Sequence, residues 1–574
     1  MAQRIVVDPV TRIEGHLRVE AVLDSNNTIT EAWSSSTMFR GIETILKDRD
    51  PRDAGLLAQR ICGVCTLVHY MASHRGVENA FGVTVPKNAR LVRNLKLGAQ
   101  FIHDHPVHFY ALSAFDFVDL VSALGASPTK AVGVAHKNSS NPYNVSAGNY
   151  AAVQAKLGAF AKQDPSLGVF GNAYWGNPSY LLTPEENLVA VSHYLDCLDL
   201  QRIPAKMMAI LGAKNPHPQA DVVGGITSVE DLANPERLAQ FGEWLAQTQA
   251  FIEGAYIPDL LMVGKAYAGE AVAGIGGGLK SYLAYGGFEL DDSPVGTGET
   301  LFPSGMVLNG DLSKVYPLNQ AKITEDVTHS WYEGSAVRQP FDGVTNPDYT
   351  GLKSPVDDIA YLKTDEKYSW VKSPTHDGER VEVGPLARLI VGYAAGNKTI
   401  IAAVDGALKA GGFPMGVLFS SVGRHAARAV ETRIIVDAMA GWLNELQVNT
   451  QGGDMSTWTD FDFDTVSKSS SGHGFVMAPR GALGHWIRVE DGKIANYQTI
   501  APTTWNAAPR DGKGRPGAFE AALVGVHLAN PAQPLEVLRT LHSFDPCLSC
   551  AVHLVDARGR DIGSFEVVPS STSA

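Results

Sequence analysis

Cysteines, long apolar runs and basic clusters are all scarce in this chain, and each scarcity excludes a class of protein. Five cysteines among 574 residues are too few for a disulfide-stapled scaffold. No run of 18 or more apolar residues occurs, so no membrane-spanning helix is predicted. A net charge of −13 without a basic stripe argues against a nucleic-acid partner. The first residues lack the apolar segment of a secretory signal, so we expect no export signal on this chain.

Hydrophobic periodicity predicts a mainly α chain with small peripheral β-sheets, an α+β fold class. Alternating apolar and polar residues in 1–34 predict hairpin strands. A second hairpin is predicted over 473–500, with its turn at Glu490-Asp491-Gly492-Lys493. The stretch 255–380, rich in Gly, Pro, Asp and Tyr, is expected to form long irregular loops with short strands. Helical periodicity covers about 52–125, 147–164, 185–212, 229–254, 425–447 and 534–543.

Four of the five cysteines form two CxxC pairs near the two ends of the sequence. Cys62 and Cys65 make the first pair, Cys547 and Cys550 the second, and 482 positions separate Cys65 from Cys547. Zinc ribbons close their two pairs across roughly 15–20 residues, so here a shared metal would join distant parts of the fold. Four thiolates suit a thiophilic metal or cluster. Spacing alone leaves a redox dithiol or buried free thiols as alternatives.

The local setting of the cysteines refines this interpretation. Cys62 and Cys65 are expected at the start of a helix, where backbone N–H groups favour the thiolate that a metal needs. Cys197 lies in a helical pattern and is expected to be a small buried hydrophobic residue. The glycine run Gly274–Gly278 looks like a nucleotide-binding loop, but no strand with a following acidic residue supports that function.

The flanks of the two cysteine pairs, together with four further blocks, resemble the large subunit of nickel–iron hydrogenases over nearly the whole chain. The blocks are Arg12-Ile13-Glu14-Gly15-His16, Arg60-Ile61-Cys62-Gly63-Val64-Cys65 with His69, His103-Asp104-His105, Asn215-Pro216-His217-Pro218, Ala478-Pro479-Arg480-Gly481, and Asp545-Pro546-Cys547-Leu548-Ser549-Cys550 with His553. The resemblance implies the hydrogenase large-subunit fold with a central helix bundle. It also implies reversible heterolytic cleavage of dihydrogen, in the direction of oxidation for the uptake type.

By this resemblance the four motif cysteines hold a nickel–iron centre. Cys62 and Cys547 would be terminal nickel ligands, and Cys65 and Cys550 would bridge nickel to iron. The iron of the family carries carbon monoxide and cyanide, and cyanide nitrogens need hydrogen-bond donors.

The iron ligands imply roles for three further residues. Arg480 and the hydroxyl of Thr503 match the cyanide donors, and Pro479 would help to form the apolar wall beside the carbonyl ligand. Without the resemblance, Arg480 would be an ordinary hairpin arginine in a surface salt bridge.

Three carboxylates are assigned to proton transfer and to the surroundings of Arg480. Glu14 matches a residue that bonds Cys547 and opens the proton exit. Asp104 and Asp545 would flank Arg480 and hold its side chain over the metals. The simpler alternatives are a solvated hairpin carboxylate for Glu14, an N-cap for Asp104 and a turn residue for Asp545.

A magnesium site and two further histidine roles follow from the same resemblance. Glu43, a backbone carbonyl near Thr499 and His553 would bind Mg²⁺, with water completing the octahedron. His69 is expected to orient cysteine or backbone groups. His217 would lie towards the iron–sulfur cluster of a partner. Apart from the resemblance, Glu43 is an ordinary helix residue and His217 a turn histidine.

The remaining cysteine and the resemblance together predict partners and processing. With four cysteines assigned, only Cys197 remains, so this chain cannot hold its own cysteine-ligated cluster and a separate subunit must carry the electrons. The resemblance implies that this partner is a small subunit with iron–sulfur clusters, in an obligate heterodimer. That subunit would carry the export signal to the outer side of the cytoplasmic membrane, where a membrane cytochrome b is a candidate acceptor. Nickel-insertion chaperones and a maturation protease would act on this chain. The protease would cut between His553 and Leu554, leaving one domain, 1–553, with its metal-binding segment 473–553, and removing 554–574.

Three alternative functions are weighed against this one. A quinone-site subunit of respiratory complex I would lack the nickel ligands, which are intact here. A sensory hydrogenase would lack the cleavable extension 554–574. A structural protein could hold zinc in a four-thiolate site, and metal analysis would separate it from an enzyme.

Overall fold

The computed structural model describes residues 3–163, 174–294, 296–355 and 359–548. Part of the predicted metal site and the predicted cleavage site lie outside these residues, namely Cys550, His553 and the extension that begins at Leu554. Within the described part, the fold is mainly helical with small antiparallel sheets, which confirms the predicted class. No described helix is both long and apolar enough to cross a membrane.

The helices are α1 (Ile42–Ile45), α2 (Ala54–Ala58), α3 (Val68–Phe81), α4 (Lys87–Val107), α5 (Leu120–Ala123), α6 (Pro128–Asn138), α7 (Ala147–Gln163), α8 (Pro184–Leu200), α9 (Arg202–Gly212), α10 (Val229–Ala233), α11 (Pro235–Phe251), α12 (Ile257–Ala266), α13 (Ala268–Val272), α14 (Pro385–Ala394), α15 (Lys398–Gly411), α16 (Ser421–Gln451), α17 (Phe463–Val466), α18 (Pro502–Asn506), α19 (Ala518–Leu523) and α20 (Leu535–His542). The strands are β1 (Gln3–Val7), β2 (Leu17–Leu23), β3 (Ile29–Ser36), β4 (Asp221–Val222), β5 (Gly225–Ile226), β6 (Tyr282–Glu289), β7 (Thr300–Val307), β8 (Ile323–Asp326), β9 (Ser373–His376), β10 (Ser469–Ala478), β11 (Gly481–Glu490) and β12 (Lys493–Ile500).

Two three-stranded antiparallel sheets carry residues towards the centre of the fold. The first has the order β1-β2-β3 and the second β10-β11-β12. The predicted hairpin over 473–500 is therefore part of a longer meander, with left-handed residues Asp491 and Gly492 at its second turn as the sequence indicates. Its first turn is only two residues long, because Ala478 pairs with Gly481 and leaves Pro479 and Arg480 at the tip.

The long helices α4 and α16 pack together and form the centre of the helical part. Gly98 permits their close approach, since a Cβ there would lie 2.6 Å from the sulfur of Met439. Helix α3 packs across β10 in a similar way. A Cβ at Gly474 would lie 2.0 Å from the backbone oxygen of Ala72, so only glycine allows this contact. The contact places the β10–β11 turn beside the segment that precedes α3.

Some predicted boundaries are wrong. The range 255–380 is not loops with short strands alone, since it contains α12, α13 and the eight-residue strands β6 and β7. Its glycines and tyrosines concealed the apolar face of α12, whose Leu260, Met262 and Val263 are buried. Helices α14 and α15 were not predicted. Both lie between glycine-rich segments that interrupt the periodic signal.

Candidate metal centre

Cys62 and Cys65 lie in a turn before α3, not at the start of the helix as the sequence suggests. Cys62 has extended backbone angles of φ −145° and ψ 134°, and α3 begins only at Val68. The turn supplies the polar support instead, because the N–H of Cys65 donates to the Cys62 sulfur at 3.2 Å. A backbone N–H directed at sulfur favours the thiolate, whether or not a helix follows immediately.

Cys547 reaches the same place from the other end of the sequence. It follows α20 and the left-handed residue Asp545, at φ 58°. Its N–H donates to the hydroxyl of Thr503 at 3.1 Å. It also forms a parallel β-bridge with Glu14, and its sulfur lies 3.2 Å from a Glu14 carboxylate oxygen. Segments from the two ends of the chain therefore meet at this cysteine.

Three thiols converge at this point and fit a soft metal ion. The Cys547 sulfur is 3.3 Å from that of Cys62 and 3.8 Å from that of Cys65, and all three lie within 4.8 Å of one another. All three side chains are buried. This is a donor set for a thiophilic metal, because thiolates gathered away from water need a cation to offset their mutual repulsion.

Arg480 lies beside the thiols, between two buried carboxylates. Its guanidinium nitrogens are 3.0 Å from Asp104 and 3.0 Å from Asp545. Burial alone would lower the pKa of Arg480, but Asp545, Cys547 and Asp104 outweigh it and hold that pKa above its usual value. Arg480 therefore stays charged at the thiol cluster. Asp104 lies near the C-terminal end of α4, so its predicted alternative as a helix N-cap is wrong.

A small cavity opens between Arg480 and the cysteines. Its lining residues are Cys65, Val68, His69, Ala478, Arg480, Pro502, Thr503 and Cys547. The apolar part of this lining is formed by Val68, Ala478 and Pro502. Pro479, predicted for that wall, is not among these lining residues, and its carbonyl accepts a hydrogen bond from Arg388 instead. The lining therefore combines the polar groups of Arg480 and Thr503 with apolar side chains, which suits a ligand that has both polar and apolar atoms.

The carboxylate of Glu43 lies in a second buried polar cluster. One of its oxygens accepts the N–H of Thr499 at 2.9 Å, and the other is 3.3 Å from the ammonium of Lys372. Lys372 also contacts Gln498 at 2.8 Å and Glu325 at 3.5 Å. No local sequence motif marks Lys372, Gln498 or Glu325 as members of this cluster.

The charge balance of this cluster favours the binding of a further cation. Two carboxylates, those of Glu43 and Glu325, share the single ammonium of Lys372. Burial, together with the neighbouring Glu43 carboxylate, raises the pKa of Glu325 to about 7, although Lys372 acts to lower it. One oxygen of Glu325 and the hydroxyl of Thr499 have no hydrogen-bond partner among the described residues. An oxygen-rich, negatively charged pocket of this kind fits a hard divalent cation.

The two predicted histidines differ in position. His69 lines the cavity, and its Nδ1 lies 3.0 Å from Nε2 of His485 rather than bonding a cysteine. Burial lowers the pKa of His69 to about 4, so its ring is neutral at physiological pH. His217 lies behind the first cysteine pair, where its N–H donates to the hydroxyl of Thr66.

Two further predictions concern residues away from the thiol cluster. Cys197 is buried, and burial raises the pKa of its thiol to about 12, as expected for a small apolar side chain in a core. The run Gly274–Gly278 forms turns after α13, and carbonyls of Gly276 and Gly277 accept from Arg424. The N–H groups of Ile275 and Gly277 bond to the carbonyls of Glu270 and Gly274, so these donors do not face a ligand as in a phosphate-binding loop.

Comparison with known proteins agrees with this geometry. The family model described as nickel-dependent hydrogenase matches residues 40–553, and one described as HoxL-like matches 4–35. The quinone-reactive Ni/Fe-hydrogenase large chain of Wolinella succinogenes is 44% identical over 99% of both chains. The uptake hydrogenase large subunit of Rhizobium leguminosarum bv. viciae is 45% identical over 98% of this chain and 97% of the relative.

A solved structure extends the comparison to the fold. The Ni-Fe-Se hydrogenase of D. vulgaris Hildenborough in its reduced state superposes with a TM-score of 0.74 and 34% identity, covering 96% of this chain and 100% of that one. Family and fold therefore agree over nearly the whole sequence. This chain belongs to the nickel-dependent hydrogenase family, as a large-subunit member, and is a hydrogenase with a nickel–iron active site.

Proposed function

We propose that this chain is the catalytic subunit of an uptake hydrogenase, which oxidises dihydrogen to protons and electrons. The observation that carries the proposal is the meeting of three buried thiols with a carboxylate, Glu14, and a guanidinium, Arg480. A scaffold for zinc needs only the thiols. A proton-releasing reaction needs the base and the fixed positive charge as well. The zinc alternative is not favoured, because the matching family is nickel-dependent.

Cys62, Cys65, Cys547 and Cys550 would hold the nickel–iron centre, with Cys62 and Cys547 as terminal nickel ligands. When bound, this centre supplies the position at which dihydrogen is polarised and cleaved. The cavity lining supports carbon monoxide and cyanide on the iron. The Arg480 guanidinium would donate to one cyanide. The Thr503 hydroxyl, whose oxygen accepts from Cys547 N–H, would donate its own hydrogen to the other.

Glu14 takes the proton away from the thiols. Its carboxylate lies at hydrogen-bond distance from the Cys547 sulfur, at 3.2 Å, and the residue is only half-buried. A proton held at the sulfur therefore has one short step to a group near the protein surface. Asp104 and Asp545 hold the Arg480 guanidinium in place, so its charge faces the reacting position without a reorganisation cost.

A magnesium ion would be held by Glu43, the backbone at Thr499 and His553. The described residues supply the negative charge and the oxygen atoms, and Lys372 neutralises part of it. The role of the magnesium ion would be structural, because the ion would link the segment around Cys550 and His553 to β12. Cleavage between His553 and Leu554 would create the terminus that this site holds.

The electrons would leave through an iron–sulfur small subunit in a heterodimer. The relatives carry the words large chain or large subunit in their names, which supports such a partner. His217 would lie towards the partner's cluster, since it is next to the first cysteine pair. The name quinone-reactive supports a quinone pool, reached through a membrane cytochrome b, as the final acceptor. The heterodimer would be exported by the small subunit's signal and would act at the periplasmic side of the membrane, after nickel-insertion chaperones and a maturation protease have acted.

The decisive experiment is metal and infrared analysis of the purified heterodimer. We expect nickel and iron together, infrared bands of carbon monoxide and cyanide, and reduction of an artificial acceptor by dihydrogen. Zinc alone, without these bands, would support the scaffold instead. Mass spectrometry of the active enzyme should find a large chain that ends at His553, and a full-length active chain would contradict the processing step.

A further inference from the structure

The turn that carries Arg480 is held from behind by a second arginine, Arg388 of α14. Its Nη1 donates to the carbonyl of Ala478 at 2.9 Å, and its Nη2 donates to that of Pro479 at 3.0 Å. These are the two carbonyls that immediately precede Arg480. Because they lie in a two-residue turn, fixing both of them fixes the orientation of the peptide from which the Arg480 side chain extends.

Arg388 is itself held by a buried chain of groups from two other helices. Glu431 of α16 accepts from its Nε and, at 2.7 Å, from its Nη2. His105 of α4 lies 2.9 Å from the same carboxylate. Arg388 is 2% exposed and the other two side chains are 0% exposed. A guanidinium that makes four hydrogen bonds, to a carboxylate on one side and to two carbonyls on the other, and that is sealed from water has little freedom to move.

The residue that follows Arg480 in the chain is constrained as well. Gly481 has φ 139°, which favours glycine, and a Cβ there would lie 2.8 Å from the backbone nitrogen of Gly384, just before α14. The turn is thus pressed against the start of the helix that provides Arg388. Arg480 then reaches Asp104 and Asp545 from this fixed base.

We propose that Arg388, braced by Glu431 and His105, is a positioning residue that sets where the Arg480 guanidinium lies over the metal site. The proposal rests on the proposed function of Arg480 as a fixed charge at the nickel–iron centre. It assigns a role in catalysis to a side chain that does not line the cavity. We call the hydrogen bonds from Arg388 to the Ala478 and Pro479 carbonyls the clamp. Loss of the clamp would displace Arg480 without removing any group from the site.

The chain contains a matched control for the clamp. Arg93 of α4 is also buried, pairs with Glu78 through two hydrogen bonds of 2.8 and 3.0 Å, and donates to two backbone carbonyls, those of Val222 and Gly225. Its carbonyls belong to the β4–β5 hairpin and not to the Arg480 turn. Replacing Arg93 therefore costs a similar set of contacts and leaves the turn intact.

The test compares Arg388→Lys with Arg93→Lys in the assembled heterodimer. Lysine keeps the charge opposite the glutamate and loses the planar fork. For Arg388→Lys we expect kcat to fall about 10- to 100-fold, as small misplacements near reacting groups do. We expect the KM for dihydrogen to stay within about twofold, since gas binding is not altered. The cyanide infrared bands should shift while the nickel and iron contents stay normal. Arg93→Lys should lower thermal stability and leave the bands and kcat unchanged.

Either of two results with the active enzyme would overturn the proposal: unshifted bands with wild-type kcat in Arg388→Lys, or the same losses in both variants. If Arg388→Lys does not assemble, Glu431→Gln keeps the arginine and weakens its brace, and a smaller band shift is expected. Hydrogen exchange of the backbone over 477–485 needs no metal. It should rise in Arg388→Lys and not in Arg93→Lys, and equal exchange would also overturn the proposal. A wild-type heterodimer without hydrogenase activity would refute the proposed function, while the exchange comparison still tests the clamp.

Discussion

Glu14 and Cys547, 533 positions apart, are joined through both backbone and side chain. The N–H of Leu548 donates to the Glu14 carbonyl at 2.8 Å, while the Cys547 sulfur lies 3.2 Å from the Glu14 carboxylate. A second tie lies just before it in both segments, where Nε2 of His542 donates to the carbonyl of Thr11 at 2.8 Å. Backbone pairing therefore fixes the two residues side by side, and the Glu14 side chain has only to span the remaining distance to the sulfur.

Glu14→Gln should block proton release while the metal site stays intact. Glutamine keeps the shape and a hydrogen bond to Cys547 but cannot carry a proton between sulfur and solvent. We expect dihydrogen oxidation to fall about 10²- to 10⁴-fold, the usual contribution of a positioned acid–base group. Steady-state uptake assays with nickel and iron analysis would measure this.

The matched control for Glu14 is Glu31→Gln, which removes an exposed carboxylate on β3. It should leave turnover unchanged. Wild-type turnover in Glu14→Gln would remove Glu14 from the proton route.

Cys62→Ser should abolish nickel binding, whereas Cys197→Ser should not. The first removes one of three converging thiols, and the second removes a buried thiol whose raised pKa keeps it neutral. Nickel content of the purified heterodimers distinguishes them. Nickel retained at the wild-type level in Cys62→Ser would contradict the assignment of this residue as a ligand.

Glu43→Gln should lower the magnesium content of the enzyme. The change removes the negative charge that faces Lys372 and leaves Glu325 as the nearby carboxylate, so a divalent cation loses its main attraction. Elemental analysis after dialysis against a chelator gives the measurement, with Glu333→Gln, an exposed neighbour, as the control. A magnesium content that both variants share with the wild type would show that Glu43 is not a ligand.

The buried carboxyl group of Glu520 should make the folded protein less stable as the pH rises. Burial raises its pKa from 4.5 to about 7, although the N–H of Ser34 and the hydroxyl of Tyr368 lower it. A raised folded-state pKa means that the folded protein binds more protons between pH 4.5 and 7, so its free energy of unfolding falls across that window and stays low above it. Glu520→Gln should remove this fall, gaining about 1–3 kcal/mol at pH 8 relative to wild type.

Thermal unfolding midpoints at one scan rate, compared at pH 5 and pH 8, would check the role of Glu520. The control Glu31→Gln removes an exposed carboxylate on β3 and should keep the wild-type dependence of the unfolding midpoint on pH. An identical profile in Glu520→Gln would mean that this carboxyl ionises normally in the folded protein.

Local signals predicted some elements well and missed others. The periodicity of α8, α11 and α16 is long and uninterrupted, so their existence followed from sequence. Helices α12 to α15 are shorter and lie among glycines and prolines, which weakens the same signal. The turn before α3 was misjudged because the cysteine pair is followed at once by helical sequence, and only the packing of the sulfurs shows that the helix starts later.

The sequence by itself determined the kinds of groups that this protein brings to its site. Two CxxC pairs with their flanks, Glu14 and Arg480 mark a family and its chemistry, because these residue types are required by the metals and the proton. Only the tertiary structure decided which distant groups meet. Lys372 beside Glu43, and Arg388 behind the Arg480 turn, carry no local signal. Their charges are stable in the interior only because partners from other segments offset the cost of burial, and that pairing exists only once the chain has folded.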